Sequence, residues 1–130
     1  TNVALRIVRL GAPRAKSEGT RIGTVRRPPR GVPKARFAEQ DWYDVWFPTL
    51  APSAEAMKLG QLASTPTQWA VFARTYRAEM KGSAAEHALN LIATLSHTAN
   101  LSVGCYCADE ARCHRSILRQ LLADRGAHFA

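Results

Sequence analysis

Asn100-Leu101-Ser102-Val103-Gly104-Cys105-Tyr106-Cys107, then Ala108-Asp109-Glu110, then Ala111-Arg112-Cys113-His114-Arg115-Ser116-Ile117-Leu118, is the stretch that decides the fold. Its first eight residues alternate. Leu101, Val103, Cys105 and Cys107 point one way, and Ser102, Gly104 and Tyr106 the other, which predicts a strand over 100–107. Asp109 is the expected helix N-cap. Ile117, Leu118, Leu121 and Leu122 then recur at helical spacing and predict a helix over 111–125, closed by Gly126. Upstream, Ser83-Ala84-Ala85-Glu86 reads as a capping box opening a helix over 83–97, with Ala88, Leu91, Ile92 and Leu95 inward. A strand with a helix on each side belongs in the middle of a parallel sheet.

Working outward, Thr65-Pro66-Thr67-Gln68 is a second capping box with proline at the first helical position. Trp69, Phe72, Ala73, Tyr76 and Met80 share one face of the helix it opens, as far as Lys81. That face is expected to be core, and Arg77 and Glu79 are expected to be solvated. Pro52-Ser53 opens a short helix stopped by Gly60. The aromatic stretch 41–47 reads as a helical turn or two ended by Pro48. Residues 3–10 alternate as a strand that Gly11-Ala12-Pro13 ends, and 21–26 form a second. Between 28 and 33, Pro28, Pro29 and Pro33 forbid helix and central strand, so this is a stiff loop. The expectation is a single α/β domain over residues 1–130, a short and mostly parallel sheet flanked by helices.

The chain has 130 residues, 18 Lys plus Arg, 10 Asp plus Glu, and a net charge of +8. That length suits one domain. Residues 1–37 carry ten bases and one acid, Glu18, while the remainder is close to neutral. A basic first third predicts an anionic partner: nucleic acid, nucleotide or a phosphorylated small molecule. No apolar run approaches the ~20 residues of a membrane span, so no membrane partner is expected. The alternating apolar and basic start lacks a signal-peptide core. The three cysteines crowd into positions 105–113, unlike a secreted disulfide framework, which points to a reducing, cytoplasmic compartment.

The turn from Cys105 to Arg115 sits where a strand ends and a helix begins. Ligands collect there in open α/β sheets, and free backbone N–H groups favour anions. Cys107 or Cys113 is the candidate nucleophile, its thiolate helped by the helix dipole and neighbouring arginines, with His114 as proton carrier. Cys105 reads as core filler. Arg27, Arg30, Gly31 and Lys34 of the proline-rich loop, with Arg115, are the expected ligand-binding residues. If the two loops share a pocket, Arg30 lies within about 15 Å of the Cys107–His114 turn. A thiolate needs no metal, so no cofactor is expected. A Cys₃His zinc site is disfavoured, because Cys113 and His114 as neighbours on a helix would diverge by about 100°. The rival reading is a nonenzymatic nucleic-acid module in which Trp42, Tyr43 and Trp46 stack bases.

Three stretches resemble domain-of-unknown-function family 488. They are Pro29-Arg30-Gly31-Val32-Pro33-Lys34; Leu50-Ala51-Pro52-Ser53 with Trp69-x-x-Phe72-x-x-x-Tyr76-Arg77-Ala78-Glu79-Met80; and the strand ending in Cys105 with Cys113-His114-Arg115-Ser116. Together they span about residues 22–120. The resemblance implies an α/β domain without implying a reaction. Where many members carry Asp-Arg-Leu-Trp before Pro-Arg-Gly, this chain reads Val25-Arg26-Arg27-Pro28.

Overall fold

The structure, a computed structural model, describes residues 3–107 and 112–130. The expected N-cap Asp109 and the first expected residue of the last helix lie outside them. Strand β1 (Leu5–Arg9) and strand β2 (Thr20–Gly23) come first, then the two-residue strand β3 (Val45–Trp46). Helices α1 (Ala54–Leu62), α2 (Pro66–Glu79) and α3 (Ser83–Leu95) follow, then strand β4 (Leu101–Cys105) and helix α4 (His114–Asp124).

The sheet order is β1-β4-β2-β3 and every strand pair is parallel. β4 therefore takes the central position expected of it, buried along its whole length. Leu5 pairs with Leu101 and Arg9 with Cys105 on one side, and Ile22 with Val103 on the other. Leu101 and Val103 face a core made with Leu5, Tyr76, Leu89, Ile117, Leu118 and Leu122. Burying a leucine or isoleucine contributes roughly 1.5–3 kcal/mol each, so Leu89 and Ile92 of α3 and Ile117, Leu118 and Leu122 of α4 hold those helices against the sheet, while Leu91 and Leu95, expected inward, are exposed. Successive strand residues face opposite ways, and Ser102, on the other pleat, donates to the Glu18 carboxylate at 2.7 Å.

The α2 capping box forms as expected, with Thr65 and Gln68 each accepting from the other's backbone N–H. Tyr76 and Glu79 of α2 form a clasp on the segment before α1. Tyr76, fully buried, donates its hydroxyl to the Leu50 carbonyl at 2.6 Å. Glu79 is not simply solvated: it accepts from the Ser53 backbone N–H at 2.9 Å and from the Ser53 hydroxyl. Ser53 in turn caps α1 through the Ala56 N–H. One face of α2 thereby fixes where α1 begins.

Several boundaries move for local physical reasons. α1 runs through Gly60, because Gly60 is where the two helices touch: a Cβ there would stand 3.0 Å from the Phe72 ring. α3 is capped at Gly82 without a side-chain bond, so Ser83 is a helical residue and its capping box does not form. The 41–47 stretch is not helical. Asp41 takes φ 62°, and Val45–Trp46 instead adds an edge strand to β2. Among the described residues no helix is long and apolar enough to cross a membrane.

Candidate functional site

A cleft of about 1430 Å³ opens at the carboxyl end of β4. One wall comes from the proline-rich segment, with Arg26, Arg27, Pro28, Pro29 and Arg30. The floor holds Cys105, Tyr106, Cys107 and His114. Arg9 and Trp42 lie on a third side, and Met57, Lys58 and Gln61 of α1 on a fourth. Arg30 and the Cys-His turn thus face one cavity. Gly31, Lys34, Cys113 and Arg115 are not among its lining residues.

Tyr106 ties the walls together. Its hydroxyl donates to the Arg27 carbonyl at 2.8 Å, and its own carbonyl accepts from Arg9 Nε at 3.3 Å. Its ring meets Trp42 edge-on at 5.9 Å. The Tyr106 bond to the Arg27 carbonyl, with the Trp46 indole bond to the Val25 carbonyl, anchors the start of the proline-rich loop beside the sheet.

The first-third charge excess is partly spent before it reaches the cleft. Arg21, 1% exposed, gives Nε and Nη2 to Glu18 and Nη1 to the Ala12 and Asp41 carbonyls. Arg14 pairs with Asp41 and Asp44, and Arg36 with Glu39. Arg9, Arg26, Arg27 and Arg30 remain around the cavity, and no acidic side chain among the described residues lines it.

The three cysteines differ. Cys105 and Cys113 are buried and Cys107 is exposed. Cys113 is the N-cap of α4, with extended backbone at φ −138° and ψ 156°. That backbone turns its sulfur to 2.6 Å from Cys105 Sγ and 3.7 Å from His114 Nδ1. His114 Nε2 lies 2.9 Å from the Thr24 carbonyl, and its ring meets Tyr76 edge-on at 5.4 Å. Burial pushes the His114 pKa down to about 4, against the opposing pull of the Thr24 carbonyl. Hydrogen bonding from the Cys105 and Cys113 thiols, aided by the charge of Arg115, pulls the Cys107 thiol well below the ordinary range. The same contacts, with burial, push Cys105 up. Arg115 is buried and donates Nη2 to the Cys107 carbonyl at 2.6 Å, which fixes the strand exit from beneath.

Sequence reasoning did not find Thr24 or Arg9, and it singled out Trp42 only as a base-stacking ring, not as part of this cleft. Thr24 acts through a backbone carbonyl, which no residue type signals. Arg9 and Trp42 lie far from the Cys-His turn along the chain; β1–β4 pairing brings Arg9 near, and the ring contact with Tyr106 places Trp42. Tyr43 is buried, in a cluster with Leu10, Val25, Cys105 and Cys113, so its ring is closed to a base. Trp46 is 45% exposed, with its indole N–H donated to the Val25 carbonyl.

The family model described as DUF488-N3a, the active DUF488-N3 subclade, matches residues 5–126. No curated protein and no solved structure matches the chain.

Proposed function

The chain belongs to the DUF488 family, and on that footing we propose that it binds a small anionic ligand, phosphate- or nucleotide-like, between the Pro-Arg-Gly loop and the Cys-His-Arg turn, and acts on it through cysteine. The observation that carries this reading is one cleft bordered by four arginines and the Cys-His turn, with no acidic lining among the described residues. Arginine presents a planar fork that meets phosphate or carboxylate oxygens two at a time. Of Cys107, Cys113 and His114, Cys107 is the exposed one and is the attacking thiol. His114 stands beside it in the floor, Cys113 is buried behind it, and Arg115 braces the Cys107 carbonyl. A cytoplasmic setting suits a free, exposed thiol.

Trp42 lines the cleft, so tryptophan fluorescence reports its occupation. Titration with inorganic phosphate and with nucleoside mono- and diphosphates is expected to give saturable quenching that Trp42→Phe removes. Arg27→Ala and Arg30→Ala should each weaken binding at least about tenfold, a loss of roughly 1.4 kcal/mol. Bound ligand should also slow alkylation of Cys107, resolved by mass spectrometry. No saturable signal up to millimolar anion would overturn the reading. The nucleic-acid module is the weaker alternative, because Tyr43 is buried and cannot stack. It would take over if unrelated oligonucleotides bound with steep salt dependence while small anions did not.

A further inference from the structure

At the cleft floor and just behind it, three buried side chains bring donor atoms close together. Cys105 Sγ, Cys113 Sγ and a ring nitrogen of His114 all lie within 4.8 Å of one another, and His114 Nδ1 is 3.7 Å from Cys113 Sγ. We propose that these three atoms bind a single zinc-class divalent ion at the carboxyl end of β4, with its fourth position open to the cleft.

The donor set fits the ion. Two thiolates and an imidazole suit a borderline-soft metal such as zinc, and the two thiolate charges offset that of a divalent ion in a buried place. Ligand atoms about 2.0–2.3 Å from a tetrahedral ion stand roughly 3.4–3.8 Å apart. Cys113 Sγ and His114 Nδ1 already do, at 3.7 Å. The two sulfurs, at 2.6 Å, separate by about 1 Å to admit an ion of that size.

The histidine separates this site from a simple thiol pair. Its Nε2 faces the Thr24 carbonyl, which only accepts, so the ring hydrogen sits on Nε2. Nδ1 is left with its lone pair toward the sulfurs. A ligand imidazole donates its other nitrogen to a carbonyl or carboxylate in this way, which fixes tautomer and ring angle. Tyr76 packs edge-on against the ring, and the Thr24 hydroxyl is anchored on the Gly104 carbonyl. The helical-divergence argument against such a site does not apply, because Cys113 is the extended N-cap and not a helical residue. Cys105 and His114 also line the cleft, so the ion's remaining position faces its contents. Three protein ligands with one open position is the arrangement of catalytic zinc.

The test uses the full chain, reduced and stripped of metal, titrated with cobalt(II) alone. The expected result is a thiolate-to-cobalt charge-transfer band with tetrahedral visible bands, saturating at one equivalent. Cys107→Ser should keep that stoichiometry. Cys105→Ser, Cys113→Ser and His114→Gln should each weaken cobalt binding at least about tenfold, with far-ultraviolet circular dichroism checking that each variant folds. Zinc should displace the cobalt and abolish the bands. Should the three ligand variants fail to fold, the wild-type titration still decides. A reduced wild-type chain without a tetrahedral cobalt spectrum overturns the proposal. So does cobalt binding that survives Cys113→Ser but not Cys107→Ser. So does protein isolated in the presence of zinc whose intact mass and peptide map show a Cys105–Cys113 disulfide. This readout does not use the fluorescence titration, so a failure of anion binding and a failure of metal binding are told apart.

Discussion

Replacing Glu18 by glutamine should destabilise this protein by about 3 kcal/mol at neutral pH, and by less as the solution is acidified. Glu18 and Arg21 are 2% and 1% exposed, and their closest approach is 2.6 Å. The carboxylate takes two bonds from Arg21, one from the Ser102 hydroxyl and one from the Ala15 N–H. Burial alone would raise its pKa, but the Arg21 and Ser102 bonds outweigh burial and hold it at about 2 against an ordinary 4.5. At about 1.4 kcal/mol per pKa unit, the difference is worth about 3 kcal/mol. Breaking a buried pair on one side costs a similar ~3–5 kcal/mol, because the other charge is left stranded.

The sign follows from the direction of the shift. A carboxylate with a lowered folded pKa stabilises fully above its unfolded pKa, and that contribution is lost as pH falls from about 4.5 towards 2. Urea unfolding of wild type and Glu18→Gln at pH 7 and pH 3.5 measures it. The wild-type advantage should be about 3 kcal/mol at pH 7, narrowing by roughly 1–1.5 kcal/mol at pH 3.5. At pH 7 the melting temperature should fall by roughly 10 °C. Glu39→Gln is the control: Arg36 and Glu39 are 61% and 60% exposed, and their pair should contribute less than about 1 kcal/mol. A Glu18→Gln loss below about 1 kcal/mol, or one that does not narrow in acid, would refute the reasoning.

Tyr76→Phe removes the 2.6 Å bond to the buried Leu50 carbonyl and should cost about 1–2 kcal/mol in urea unfolding. Glu79→Ala releases the Ser53 backbone and hydroxyl; about 1–3 kcal/mol is expected, with faster amide exchange in the first turn of α1. Gly23→Ala would place a Cβ 2.4 Å from the Tyr43 ring, which is only 3% exposed and has no room to swing aside. It should cost at least about 1–3 kcal/mol by overpacking, read as a lowered melting temperature.

The stretch from Asn100 onward was legible because both of its periods are local. Alternation placed Leu101, Val103 and Cys105 on one face, and a 3.6-residue stripe placed Ile117, Leu118 and Leu122 on another. The flanking helices then required the strand to be central and parallel, as it is. Boundaries were less legible. Gly60 has the composition of a helix stop but serves helix–helix contact, and a glycine's two uses are identical in one dimension. Val45 and Trp46 carry a strand too short to have a period.

By itself, then, the sequence determined the α/β class, the order of the helices, and the two basic or thiol-rich loops worth watching. Tertiary structure decided which charges remain for a ligand. Arg21 counts towards the basic excess like any other arginine, yet pairing with Glu18 and two carbonyls removes it, whereas Arg9 reaches the cleft through the β1–β4 register. It also decided what the cysteines can do. An extended N-cap brings Cys113 back to Cys105 and His114, and the Thr24 carbonyl sets the imidazole. Periodicity depends on neighbours a few residues apart. Charge pairing, burial and ligand convergence depend on partners tens of residues away, which only the folded chain brings together.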